Sequence, residues 1–222
     1  VTAPPPLSVP LDEFVLRYPR HCLVLLGGLP GAGKSTLLGR LYGLTGAETA
    51  TVRTGDGAHV VDSLQSRNRL TPLLGALPYP LWRWVTHLLH YLRVLAALCG
   101  GGPVIVHDAG TRRAVRLLFA LYCRLTGAEL HLLFVAAAPA EALLGQITRG
   151  RRVGRRSFRG HVRRWRALLD AVARDPRDAV PEARSLVLLN RAEAALLRRI
   201  DFGPRPHLSA CPAHRSGRSA AV

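Results

Sequence analysis

Lysine is almost absent from this chain. Among 31 basic residues only Lys34 is lysine, and all the others are arginine. Acids are also few: 14 Asp and Glu leave a formal net charge of +17. Such an imbalance points to polyanionic partners, whether nucleotide, nucleic acid or an acidic surface. A GC-rich coding sequence, favouring Arg, Ala, Gly and Pro, would give the same excess. The four cysteines, Cys22, Cys99, Cys123 and Cys211, show no C-x-x-C spacing, which argues against zinc. Three of them lie in apolar runs and read as small core residues of a reducing, cytoplasmic compartment. No uncharged apolar run reaches the ~18 residues that a membrane span needs. The Pro-rich start lacks the basic-then-apolar pattern of a signal peptide, so none is expected. No internal repeat is apparent.

What is present centres on one stretch: Gly28, Leu29, Pro30, Gly31, Ala32, Gly33, Lys34, Ser35, Thr36. It fits G-x-x-x-x-G-K-[ST], the phosphate-binding P-loop or Walker A pattern. An apolar run, 22–26, precedes it, as a buried parallel strand would. A helix-forming segment, 35–44, follows it with Leu37, Leu38 and Leu41 on one face. The glycines let the backbone turn successive N–H groups toward phosphate oxygens, and the helix adds its positive end. Lys34 offers a compact charge to the β- and γ-phosphates, and Ser35 offers a hydroxyl to Mg²⁺. A chain that uses arginine everywhere else keeps its single lysine where a planar fork would not serve.

The 222 residues, 48% of them hydrophobic, suffice for one α/β domain. Residues 1–18 read as a lead-in, with a short helix over 11–18, and residues 203–222 as a disordered tail. Between them, strands are expected at 59–62, 104–108, 130–136 and 186–189, with a strand or an elaborated loop at 50–53. Helices are expected to open at Ser63 and to cover 81–98, 111–126, 139–148, 160–173 and 192–200. Residues 71–80 are broken by Pro72, Pro78 and Pro80. In the 81–98 helix, Arg83, His87, His90 and Arg93 form one polar stripe, solvated or cleft-facing; a His87–His90 metal pair is the sharper alternative. Residues 149–166 carry nine arginines and no acid, and read either as a solvated basic face or as a glycine-hinged flap over phosphates, with its lid at about 149–160. Alternating strands and helices give a parallel sheet with helices on both faces, its ligand at the strands' carboxyl ends. Gly28, Asp62 and Asp108 all fall there.

GLPGAGKST, VVDSLQSRNRL, VIVHDAGTRR, TRGRRVGRRSFRGHVRRW and LVLLNRAEAALLRRIDF together resemble the small P-loop kinases over roughly residues 22–202. The nearest are bacterial ATP-binding proteins of the "AAA domain" type that group with polynucleotide kinase, zeta toxin and chloramphenicol phosphotransferase. The resemblance implies a P-loop NTPase three-layer α/β sandwich: a five-stranded parallel sheet of order 2-3-1-4-5 with an Arg-rich lid. It implies ATP and Mg²⁺ as cofactors, and a hydroxyl acceptor on a small molecule or a nucleic-acid end. In the polynucleotide-kinase register the base position falls on Leu64, which cannot serve; in the chloramphenicol phosphotransferase register it falls on Asp62. Asp62 is therefore the expected base, with capping of the following helix as its other possible role. Arg67 or Arg69 would steer the acceptor, and Arg112 would bind phosphate or lie on the helix surface. Asp108 would hold Mg²⁺ with Ser35, Arg151 and Arg155 of the lid would stabilise transferring charge, and Asn190 and Arg191 would pack the adenine. Tyr79, Trp82, Trp84 and Tyr91 would stack on a ring or pack in the interior. Two functions stay open: a kinase, or a nucleotide switch without transfer that binds nucleic acid through its arginines.

Overall fold

The computed structural model describes residues 14–148, 150 and 154–204. Five apolar runs make its central sheet. The strands are β2 (Cys22–Gly27), β4 (His59–Asp62), β5 (Val104–His107), β6 (Glu129–Ala136) and β7 (Ser185–Asn190), all parallel. β2 is buried throughout, as its unbroken apolar run requires of a strand covered on both faces. It lies between β5 and β6, and the whole sheet runs β3-β4-β5-β2-β6-β7. A sixth strand answers the alternative left open at 50–53: β3 (Val52–Arg53) is a two-residue strand antiparallel to β4 at the edge.

Eight helices are described. α1 (Lys34–Tyr42) follows β2, α2 (Ser63–Leu74) follows β4, and α3 (Tyr79–Cys99) leads to β5. α4 (Arg113–Thr126) joins β5 to β6, and α5 (Pro139–Ile147), α6 (Arg155–Arg174) and the short α7 (Pro176–Ala179) lie between β6 and β7. α8 (Arg191–Leu196) closes the set. α3 packs on β4 and β5, and α4 on β2 and β6.

Four expectations change. The segment ending at Tyr18 is not a helix: β1 (Val15–Pro19) pairs in parallel with β8 (Arg199–Gly203) as a second, two-stranded sheet. The same pairing ends the last helix at Leu196 rather than Ile200. Helix propensity in Ala192–Ile200 yields to a tertiary partner, with Ile200 buried opposite Leu16. α2 runs through Pro72, which sits in its last turn. α6 begins at Arg155, inside the expected lid, because Phe158 packs against the core and draws the helix back. Arg149 and 151–153 lie outside the described residues, as do 1–13 and 205–222.

α3 turns a mixed face inward. Leu81, Trp84, Leu88 and Leu92 are exposed, Trp84 by 66%, while Trp82, Thr86, His90, Val94 and Leu98 are buried. Of its polar stripe, His90 is buried and His87 and Arg93 are half-buried, whereas Arg83 stays exposed. Trp82 is buried and donates its indole N–H to the Leu77 carbonyl, and Tyr91 meets Phe119 edge-on, so both pack rather than stand free.

Candidate functional site

β2 ends at Gly27, and the chain turns through Gly28–Gly33 into α1. Gly31 has φ +91°, and a Cβ there would lie 1.9 Å from the Ala142 carbonyl oxygen of α5. α5 is seated on the loop in return: a Cβ at Gly145 would come within 2.4 Å of the Gly31 carbonyl, and Gln146 Nε2 donates to the Pro30 carbonyl at 2.9 Å. Gly33 caps α1 at φ +110°, and nothing lies within 4 Å of where its Cβ would be. No side chain caps α1, and its first turn holds no acid. The helix's positive end thus opens on a space that suits an anion. Lys34 is 6% exposed and folds back over the loop, its ammonium donating to the Gly28 and Leu29 carbonyls at 2.9 Å each.

Two strands away, β4 ends on Asp62, and its carboxylate is clamped on both sides. Oδ1 accepts the Leu64 N–H at 2.8 Å, capping α2, and Gln65 Oε1 reciprocates by accepting the Asp62 N–H at 3.1 Å. Oδ2 accepts from His107 Nδ1 at 2.6 Å. A carboxylate only accepts, so Nδ1 carries the proton. The register makes this contact, since Asp62 stands opposite His107 in the parallel β4–β5 ladder. Burial pushes the Asp62 pKa up, but His107, the Leu64 N–H and His90 together outweigh it and bring the group to about 2. Arg93 of α3 braces the clamp from behind by donating to Gln65 Oε1, Ser66 Oγ and Thr51 Oγ1.

After β5, Asp108 Oδ1 accepts the Gly110 N–H at 2.9 Å. The following loop is pinned by buried Arg116, which donates to the Gly110 carbonyl at 3.1 Å and to Glu182 at 2.6 Å. Asp108 raises, and so partly offsets, the depressed pKa values of His87, His90 and His161. His90 is wholly buried and neither ring nitrogen has a partner; burial lowers it to about 4. On α6, burial lowers His161 to about 4 as well, with Arg164, Arg112 and Lys34 pushing the same way. Lys34, Arg112 and Arg164 thus lie near enough to His161 to act on it together, with Asp108 opposing them.

A cavity of about 670 Å³ opens beside the same loop. Pro30, Gly31, Ser35 and Thr36 form one wall, Asp62, Leu64 and Gln65 the opposite one, and loop 44–48 its end. That volume is within the usual range for a small-molecule site.

The structure thus brings together the Gly28–Thr36 loop, Lys34, Ser35 and Asp62. It places Asp108 at the next strand's end, and Arg112 at the start of α4. Other expected residues lie elsewhere. Arg67 is exposed and stacks over the Tyr79 ring at 4.4 Å. Arg69 is exposed and does not line the cavity. Arg155 is exposed at the first turn of α6. Asn190 caps α8 by accepting the Glu193 N–H at 2.8 Å, and exposed Arg191 begins that helix. Arg151 lies outside the described residues. His161 was missed, Arg164 was legible only as one of the nine arginines over 149–166, and His107, at the end of the 104–108 run, faces the site. The i, i+3 spacing of His161 and Arg164, beside the buried Trp165, was the available signal for the first two.

Among the described residues no group of three or more His, Cys, Asp or Glu could hold a metal, which leaves a His87–His90 site without further ligands. Mg²⁺ needs no such cage: one or two protein oxygens with phosphates and water suffice. The exposed Ser35 and half-buried Asp108 suit that mode.

No family model matches the sequence, and no curated protein matches it. The fold is similar to that of a protein of the PezAT chromosomal toxin–antitoxin system of Streptococcus pneumoniae. The two are 14% identical, with 89% of this chain and 84% of that one covered, at a TM-score of 0.53. A protein from Chloroflexus aurantiacus J-10-fl named as a kinase aligns at 14% identity over 77% of this chain and 86% of that one, at TM-score 0.46. APE1195 aligns at 20% identity over 59% and 68%, at TM-score 0.38. The first likeness is one of fold, and the other two are too loose to carry more. No described helix is long and apolar enough to cross a membrane.

Proposed function

We propose that this chain is an ATP-dependent phosphotransferase acting on an acceptor hydroxyl, its kinase unit running from β1 to β8. One observation carries this: the Gly28–Ser35 loop and the Asp62 carboxylate bound a single cavity large enough for an acceptor. The glycine loop and the amino end of α1 hold the triphosphate through backbone N–H groups. Lys34 neutralises charge where it builds up between the β- and γ-phosphates. Ser35 and Asp108 would hold Mg²⁺, which supplies further neutralisation of the phosphate oxygens when bound.

Asp62 orients the acceptor hydroxyl. The hydroxyl oxygen bonds to the γ-phosphorus as the bond to the β,γ-bridging oxygen breaks, and the bond's electron pair leaves with ADP. The hydroxyl proton passes to Asp62. A carboxylate with a pKa near 2 is a weak base, so the proton moves late, and positioning does most of the work. Arg112 and Arg164 add positive charge beside the phosphates, the part expected of Arg151 and Arg155 at the lid.

A second function has one specific observation in its favour. Both Asp62 oxygens are engaged, one as a helix cap and one by His107, as in a purely structural acid. A nucleotide switch would need no more. Incubation with γ-labelled ATP–Mg²⁺ and a panel of alcohols separates the two. A kinase labels an acceptor, and Asp62→Asn abolishes the label while ATP still binds. Binding with no label on any acceptor, and no effect of Asp62→Asn, is the outcome for a switch.

A further inference from the structure

Resting on the kinase assignment above, we propose that the acceptor is a small alcohol bearing no anionic group, neutral or amine-bearing, and not a phosphate-containing nucleic-acid end. The distribution of charge around the loop carries this. In a chain with 31 basic and 14 acidic residues, the described lining of the cavity contains no Arg or Lys but two acids, Asp62 and Glu48.

Glu48 is fixed there. Its Oε1 accepts from the Thr45 N–H and hydroxyl, and its Oε2 accepts from the Gly46 N–H. Those bonds lower its pKa against the effect of burial, so it is anionic throughout the physiological range. Asn68 of α2 ties the loop down by donating to the Gly46 and Glu48 carbonyls at 2.9 and 3.0 Å. The rest of the wall is apolar or neutral, including Leu38, Leu44 and Leu64.

Lys34, Arg112 and Arg164, none of which lines the cavity, act together on His161, with Asp108 opposing them. Positive charge thus gathers near His161, while the charges on the cavity's described lining are negative. A triphosphate is drawn to the former. A second phosphate, on the acceptor, would meet the Asp62 and Glu48 carboxylates with no cation among the described lining to pair it, which is costly. An amine or a neutral polyol meets no such penalty. In transfer only the acceptor's hydroxyl reacts, its oxygen taking the γ-phosphoryl group and its proton going to Asp62. Any amine remains a bystander that pairs with Glu48.

The test measures γ-phosphate transfer by the full chain, with ATP–Mg²⁺, to uridine, streptamine, ribose 5-phosphate and a dinucleotide with a free 5′-hydroxyl. The same panel is run on Leu64→Arg, which places a cation on the cavity wall and keeps the backbone N–H that caps Asp62. The expected result is transfer to uridine or streptamine at least tenfold more efficient, in kcat/KM, than to either phosphate-bearing compound. In Leu64→Arg that preference shrinks at least tenfold or reverses. Equal or better transfer to ribose 5-phosphate or the dinucleotide by the parent protein overturns the proposal and leaves the kinase assignment standing. An unchanged preference in Leu64→Arg also overturns it, because acceptor charge is then not read at this wall. Absence of transfer to all four compounds, in a protein that binds ATP, counts against the kinase assignment itself.

Discussion

At the residue scale the site rests on two side chains held in place by their neighbours. Lys34 is fixed by two backbone carbonyls and Asp62 by one N–H and one imidazole. His107 is accordingly a positioning residue. A hydrogen bond to a charged group contributes about 1.5–3 kcal/mol. His107→Gln should therefore lower kcat roughly tenfold, with little change in KM for ATP. His107 also holds the Asp62 pKa down, so its removal lets that pKa rise. The acid limb of the kcat/KM profile should then move to higher pH, a shift that mere loosening of the fold would not produce. An unmoved acid limb would remove His107 from the mechanism. Lys34 and Asp62 could be read in the sequence because motif spacing and a strand-ending acid are local signals. The Asp62–His107 contact could not, since 45 residues separate the pair and only the β4–β5 register joins them. The roles proposed for Arg67 and Arg69 drew on family spacing alone, which does not say toward which side α2 turns them.

At the element scale, α5 and the P-loop are packed backbone on backbone. Gly31→Ala would force a Cβ to within 1.9 Å of the Ala142 carbonyl at a φ that L residues rarely adopt. Overpacking and backbone strain together should cost about 2 kcal/mol or more, read as a lower urea midpoint with unchanged slope. A parent-like midpoint would mean that α5 does not sit on the loop. The loop bearing Asp108 and Arg112 depends on Arg116. Arg116→Ala leaves Glu182 buried and unpaired, a loss of about 3–5 kcal/mol. Arg116→Ala combined with Glu182→Leu should recover much of that loss in the same urea measurement. Strands β2, β5 and β6 were legible from their apolar runs. β1 and β8 were not, because each is short and gains its structure only from a partner more than 180 residues away. The inward turn of His90 and Arg93 on α3 was hidden for a related reason. Periodicity gives the two faces of a helix, and only the packing of Arg93 on Ser66, Gln65 and Thr51 says which one turns inward.

At the scale of the whole molecule, buried histidines couple stability to acidity. His90 and His161 are lowered to about 4 by burial, and His59, His87 and His131 are lowered too. Between about pH 6.5 and pH 4 the unfolded chain binds protons that the folded chain refuses, so stability is full above the unfolded value and declines as pH falls through this window. Asp62, depressed to about 2, loses its contribution at lower pH still, between its unfolded and folded values. Melting temperature should therefore fall steadily from pH 7 to pH 4 and continue to fall below that. A flat profile between pH 7 and pH 5 would contradict the burial of His90. The net charge of +17 bears on partners rather than on fold. It does not describe the cavity beside Asp62, whose described lining carries Asp62 and Glu48 but no Arg or Lys. What joins all three scales is the proposed triphosphate site at Gly28–Ser35, and calorimetric titration of ATP–Mg²⁺ into the parent protein and Lys34→Ala tests it directly. The parent should bind saturably at one site, and loss of the ammonium's charge-assisted bonds should weaken binding by about tenfold to a hundredfold. Equal affinity in the two proteins would contradict the assignment of this loop as the nucleotide site.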